Sequence, residues 1–155
     1  RDLRKQMWMI RSSSSLPLVS KTIVVKGHKL LDGGIADSIP IHRSIEDGNE
    51  KNVVILTRDE EYRKEPNKLM PLMRLRYPKY KEFLQAMETR HIRYNEVLDF
   101  LEEQEREGKV FVIRPQAKVE VGRVEKDKAK LTVLYKQGVH DGEQAIEAMK
   151  EYLEK

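Results

Sequence analysis

Leu30-Leu31-Asp32-Gly33-Gly34, then Ser38-Ile39-Pro40-Ile41, then Asn52-Val53-Val54-Ile55-Leu56-Thr57, is the stretch that decides the fold. The first part is an apolar path ending in a glycine turn. The second carries a helix start signal, with proline fitting a first turn where its absent N–H is not missed. Ile41 and Ile45 fall on one face of that helix, and Asp47-Gly48 stops it. The unbroken Val-Val-Ile-Leu run of the third part reads as a strand buried on both faces. Strand, short helix and buried strand together predict a βαβ unit in a parallel sheet, and hence an α/β fold.

Upstream, Lys21 to Val25 is β-branched enough for a strand, and Lys26-Gly27-His28 gives a turn. Arg11 to Leu16 with Pro17 reads as a loop, because serines compete for backbone groups and proline disfavours helix before it. Before that loop, Leu3, Met7 and Ile10 share a helical face that starts at once after Arg1, so the chain reads as cut from a longer one.

Downstream, Arg58 to Lys68 is a charged loop. Tyr80, Phe83, Leu84, Met87, Tyr94, Val97, Leu98 and Leu101 then keep helical spacing as far as Gly108, as one helix or as two broken near Arg90-His91. Val110 to Ile113 is another short buried strand, ended by Pro115. Asp127 can cap a helix carrying Leu131, Leu134 and Tyr135 and closed by Gly138; Asp141 precedes a last helix with Ile146, Met149 and Leu153 inward.

Composition bounds the function. With 155 residues, one compact domain or part of one is expected. The absence of cysteine removes disulfide frameworks and thiolate metal sites, which makes a cytoplasmic location the default expectation. No apolar run approaches the roughly 18 residues that a membrane span needs. The net charge of +4 divides into 30 basic and 26 acidic residues interspersed along the chain, which describes a solvated surface. Trp8 and the scattered tyrosines are not interleaved with a basic stripe, so nucleic acid is not the expected partner.

Among motifs that carry chemistry, a Gly-x-Ser-x-Gly elbow is absent: Gly138 and Gly142 have His140 between them. The Ser12 to Ser15 run has no glycine turn and no adjacent base. His28, His42, His91 and His140 lack metal-ligand spacing, and no phosphate loop is present, so neither a metal nor any other cofactor is expected. Asp32-Gly33-Gly34 is the sharpest feature, because it puts a carboxylate near the C-terminal end of a strand, where open α/β sheets place their sites. Asp37, close to Ser38 and Pro40, is expected to cap a helix.

Ser13-Ser14-Ser15-Leu16-Pro17 followed by Leu31-Asp32-Gly33-Gly34-Ile35-Ala36-Asp37-Ser38-Ile39-Pro40 resembles the second half of the patatin-like phospholipase family. Asn52 to Arg58, Tyr62-Arg63-Lys64 and Gly122-Arg123-Val124-Glu125 resemble a bacterial branch of it. The resemblance implies a three-layer fold with a mostly parallel central sheet, present here only as its C-terminal portion over residues 1–115, including a helical segment 69–108. Residues 116–155 then form a helical extension. It also implies a serine acyl hydrolase, an esterase or phospholipase of lipid degradation, working through a Ser-Asp dyad. Asp32 would be the dyad base, with Gly33 and Gly34 beside the site, while the nucleophile and the oxyanion loop would lie outside this chain.

The expected partners are an acyl ester or phospholipid substrate and, transiently, a membrane surface. The chain alone is expected to be inactive and to self-associate through uncovered apolar surface and sheet edge. The alternative is a non-catalytic α/β interaction module or a degenerate relative.

Overall fold

The computed structural model describes residues 7–122 and 125–154. Leu3 of the first helical pattern, and Arg123 and Val124 of the Gly-Arg-Val-Glu stretch, lie outside the described residues. The chain is mixed α/β and divides into two compact units: Arg1–Pro40 with Lys64–Val97, and Ile41–Arg63 with Leu98–Lys155.

The first unit opens with helix α1, Met7–Ser13, which runs into the serine stretch expected to be loop. Ser12 Oγ donates back to Trp8 O at 2.7 Å and Ser15 Oγ to Arg11 O at 2.8 Å. The hydroxyls thus close the last turn onto the helix instead of breaking it. Strands β1, Ile23–Val25, and β2, His28–Leu30, form an antiparallel hairpin pairing Val25 with His28. Its two-residue turn places Lys26 at φ 48° and Gly27 at φ 80°. Positive φ at both central positions matches the right-handed twist of the strands.

Helix α2 (Ile41–Glu46) and strand β3 (Asn52–Ile55) open the second unit. Helix α3, Met70–Arg76, buries Met70 and Met73 against Ile35 and Met87, forming the core of the first unit with Leu31 and Phe83 packed on it. Helix α4, Lys81–Arg106, is one unbroken helix of 26 residues with no interruption at Arg90-His91. Its Glu, Gln, Leu and Met content and its lack of glycine and proline sustain that length. Gly108 ends it at φ 71°, with Lys109 N–H reaching back to Gln104 O at 2.9 Å.

In the second unit β3 pairs in parallel with β4, Val110–Ile113, in the register Asn52 to Val110 through Ile55 to Ile113. The parallel pairing of these two runs is as expected, but their neighbours are not. The hairpin strands form a separate two-stranded sheet, so the predicted βαβ unit running from Leu30-Leu31 through α2 to β3 does not form. The connection between parallel partners is instead the long one through α3 and α4, as parallel strands require a crossover. Nor is β3 covered on both faces, since Ile55 is 72 % exposed.

The C-terminal segment is a single helix α5, Lys128–Glu154, where a break at Gly138 was expected. Asp127 caps it as read, its Oδ1 accepting from Ala129 N–H at 2.8 Å. The inward positions differ: Tyr152 is buried, whereas Leu153 and Ile146 are exposed. Tyr152 wins its place through polar contacts, its hydroxyl accepting from Asn52 N–H at 3.0 Å and donating to Lys109 O at 2.7 Å. Among the described residues no helix is long and apolar enough to cross a membrane.

Candidate functional site

Asp32 stands two residues beyond β2, at φ −52° and ψ 125°, as the cap of a single 3-10 turn over Gly33–Ile35. Its own N–H is held by Ser15 O at 2.9 Å, which ties the serine segment to the turn. Oδ1 accepts from Gly34 N–H at 2.8 Å. Oδ2 accepts no hydrogen bond among the described residues, and the residue is half-buried. The strand before it is a hairpin strand, so the carboxylate sits after an antiparallel strand and not at the end of a central parallel one.

The two glycines of the tripeptide differ in what they do. A methyl group added at Gly34 would lie 3.1 Å from Asp32 Oδ1 and 3.5 Å from Arg90 NH2. At Gly33 nothing lies within 4 Å. Gly34 is therefore the residue whose smallness lets the carboxylate fold over its backbone.

A pair of arginines on α4 holds the turn from the other side. Arg90 Nε donates to Gly34 O at 2.7 Å and Arg90 NH2 to Ser38 Oγ at 3.2 Å. Ser38 Oγ in turn donates to Gly34 O at 2.7 Å, so Ser38 serves this turn and not the start of α2. Arg93 donates to Ala36 O at 2.8 Å, Ile35 O at 3.2 Å and Ala86 O at 2.8 Å, and its Nε is buried without a partner. The carbonyls at the end of a short turn have no partner within it, and charged donors satisfy them strongly. Asp37 Oδ1 accepts from Ile39 N–H at 3.2 Å, a local turn contact that falls short of capping α2 at Ile41.

Arg90 and Arg93 escaped the motif reading, although a signal was present. Met87, Arg90, Tyr94 and Val97 continue one helical spacing, with a cation in an otherwise inward series. The turn face of the two arginines bounds only a small cavity, about 30 Å³, lined by Ile35, Asp37, Ser38 and Tyr94 among others.

Of the other candidates, Ser15 reaches Asp32 only through its backbone carbonyl, and no serine hydroxyl or histidine ring contacts the carboxylate among the described residues. Ser12 and Ser15 direct their hydroxyls to helix carbonyls, and Ser14 Oγ likewise contacts Ile10 O and Arg11 O. Among the described residues, no three histidine or carboxylate side chains are grouped as a metal site would require. His42 instead packs on Phe100, ring centroids 4.4 Å apart, and His91 Nδ1 meets Glu88 O at 3.0 Å. In the second unit Arg114, whose side chain is 11 % exposed, pairs with Glu105 and with Glu60. Burial pushes the Glu105 carboxyl above its usual range, against the pull of Arg114. Asp141 is buried and accepts from Gln116 N–H at 3.1 Å, a structural tie between α5 and the segment after β4.

A family model described as a domain of unknown function (DUF6363) matches residues 80–154, the span from the start of α4 to the end of α5. Asp32 and its turn lie outside that match. No curated protein and no solved structure matches the chain.

Proposed function

We propose that the chain supplies the general-base aspartate of a patatin-like serine acyl hydrolase, with Asp32 in that role and the nucleophilic serine carried by an upstream part of the same polypeptide. In this reading residues 1–115 are the C-terminal portion of a three-layer catalytic domain, 116–155 are its helical extension, and the enzyme works in the cytoplasm. The observation that carries the reading is the arrangement of the Asp32 carboxylate: one oxygen is steered by Gly34 N–H, and the other accepts no hydrogen bond among the described residues, on a turn anchored by Arg90 and Arg93. A dyad base needs this division, since it must be fixed in direction yet keep an acceptor for the serine proton.

Ester cleavage then follows from proton bookkeeping. Asp32 accepts the proton of the serine hydroxyl as the oxygen attacks the acyl carbonyl, and the acid so formed returns it to the leaving alkoxide. An acyl-serine remains. Water attacks it with Asp32 again taking a proton, releasing the carboxylic acid and restoring the serine. No histidine, metal or nucleotide enters these steps. Backbone N–H groups outside this chain would hold the oxyanion.

A second reading, a non-catalytic interaction module or degenerate relative, accounts equally for a chain in which no serine hydroxyl contacts Asp32 among the described residues. The upstream sequence of the reading frame separates the two, since Gly-x-Ser-x-Gly must be there for the first. In the polypeptide that carries it, Asp32→Asn should lower nitrophenyl ester hydrolysis by about a hundredfold to ten-thousandfold and leave the thermal transition nearly unmoved. The 155-residue chain alone should take up no fluorophosphonate label. Undiminished hydrolysis by Asp32→Asn would return the residue to a turn-forming role.

A further inference from the structure

Helix α5 packs on its own unit through one side, where its buried residues Asp141 and Tyr152 lie eleven apart. Beside that side runs a second apolar stripe. Leu131, Tyr135, Val139, Gly142, Ile146 and Leu153 recur in steps of three, four and seven, and at 3.6 residues per turn they fall within about 80° of one another. The five side chains are all exposed, Tyr135 by 72 %. Leu131, Gly142 and Leu153 stand eleven residues apart, a repeat close to that of a straight helix, so the stripe keeps to one face along the whole of α5.

Charge along α5 is ordered by halves. From Lys128 to His140 it carries Lys128, Lys130 and Lys136 and no acid; after Asp141 it carries Glu143, Glu147, Glu151 and Glu154 against Lys150. This reverses the order that suits a lone helix, whose N-terminal end favours acids and whose C-terminal end favours bases. The first turn holds no acid and the last turn no base. Among the described residues, the ion pairs of these groups are confined to Lys130 with Glu125 at 3.9 Å and Lys150 with Glu147 at 2.8 Å. An antiparallel copy of the helix removes the conflict, because it lays each basic half along an acidic half and opposes the two dipoles.

We infer that two copies of the chain pair through this face of α5 as an antiparallel dimer whose two-fold axis passes Gly142. About that axis Leu131 meets the partner's Leu153, Tyr135 meets the partner's Met149, and the two Gly142 residues face each other. The contact is self-complementary and closes at two chains. A Cβ added at Gly142 meets nothing within 4 Å in the single chain, so the fold itself does not need a glycine there, whereas a crossing point without side chains lets two helix backbones come close. The pairing uses neither Asp32 nor the sheet edges, so it stands apart from hydrolysis and from association through uncovered strands.

The full chain has no cysteine, so single cysteines report the arrangement. Under mild oxidation, Tyr135→Cys mixed with Met149→Cys should give a disulfide-linked dimer that neither variant gives alone. Leu131→Cys mixed with Leu153→Cys repeats the test at the helix ends, should Met149→Cys unsettle the fold. Val139→Gln with Ile146→Gln, at exposed positions, should raise the dimer dissociation constant about a hundredfold in sedimentation equilibrium and leave the circular dichroism spectrum unchanged. Lys128→Glu with Lys136→Glu should raise it about tenfold, and adding Glu147→Lys and Glu154→Lys should restore it. Self-linking of Tyr135→Cys as efficient as the mixed reaction would mean a parallel pair and overturns the proposal. So do an absence of linking in both mixtures, linking that survives Val139→Gln with Ile146→Gln, and a failure of the charge reversals to compensate.

Discussion

At Asp32 the decisive neighbour is Gly34. The carboxylate turns back onto the Gly34 N–H, and a Cβ there would stand 3.1 Å from Oδ1, closer than a side chain is comfortably packed. Gly34→Ala should therefore displace the carboxylate and cost about 1–3 kcal/mol, as overpacking does, while Gly33→Ala, which meets open space, should stay within about 0.5 kcal/mol. Urea denaturation of the two variants side by side measures this. Equal stability of both would mean that the Asp32 turn relaxes freely, and would remove the argument that its geometry is imposed. Arg93 makes the same point from the other side: leaving its buried Nε without a partner is costly, yet its two contacts with Ile35 O and Ala36 O hold the turn to α4.

Among the elements, α5 is the one whose role the spacing of its side chains least foretold. Val133, Tyr135 and Leu153 along it are exposed, and besides the Asp141 contact its attachment rests on Tyr152 near its far end. The Tyr152 hydroxyl bridges the first residue of β3 and the residue before β4, so one side chain pins the helix to the start of both parallel strands. Phe111 packs beside it at 5.8 Å between ring centres. Tyr152→Phe preserves the ring but strands the Asn52 N–H and the Lys109 carbonyl, so it should destabilise the fold by about 1–3 kcal/mol. Tyr135→Phe, on an exposed ring, should change stability by less than about 0.5 kcal/mol. If chemical denaturation finds the two variants alike, the Tyr152 hydroxyl is not what holds α5 to the strands, and the Asp141 contact with Gln116 carries the polar attachment.

For the molecule as a whole, the balance of covered and uncovered surface bears on association. Each of the two sheets has only two strands, which leaves outer edges on both, and such pairs are marginal without cover. Met7, Met9 and Ile10 on α1 and Ile55 at the end of β3 are all more than half exposed. The 155-residue chain should accordingly sediment as a concentration-dependent mixture of monomer and larger species. A compact monomer at every concentration would show that these edges and side chains need no cover, and would weaken the case for an upstream half completing the sheet.

What the sequence determined by itself was mostly local. The Lys26-Gly27 turn, the stop at Gly108, the Asp127 cap and the two β-branched strand cores each follow from the conformational preferences of a few adjacent residues. The aspartate followed by two glycines was legible as a turn, because a carboxylate that can accept from the chain two residues on stands beside residues without a side chain. Tertiary structure decided the rest. Which strand pairs with which depends on contacts across the whole of α3 and α4, and no local pattern distinguishes β2 from β4 as the partner of β3. Gly138 does not end a helix, because a glycine costs only about 1 kcal/mol in a helix interior and packing elsewhere along α5 outweighs it. Arg90 and Arg93 meet the turn only when α4 is laid beside it, since the turn carbonyls they satisfy are more than fifty residues away in the chain. Spacing along a helix places side chains on a face; only the folded backbone supplies the acceptors that face must meet.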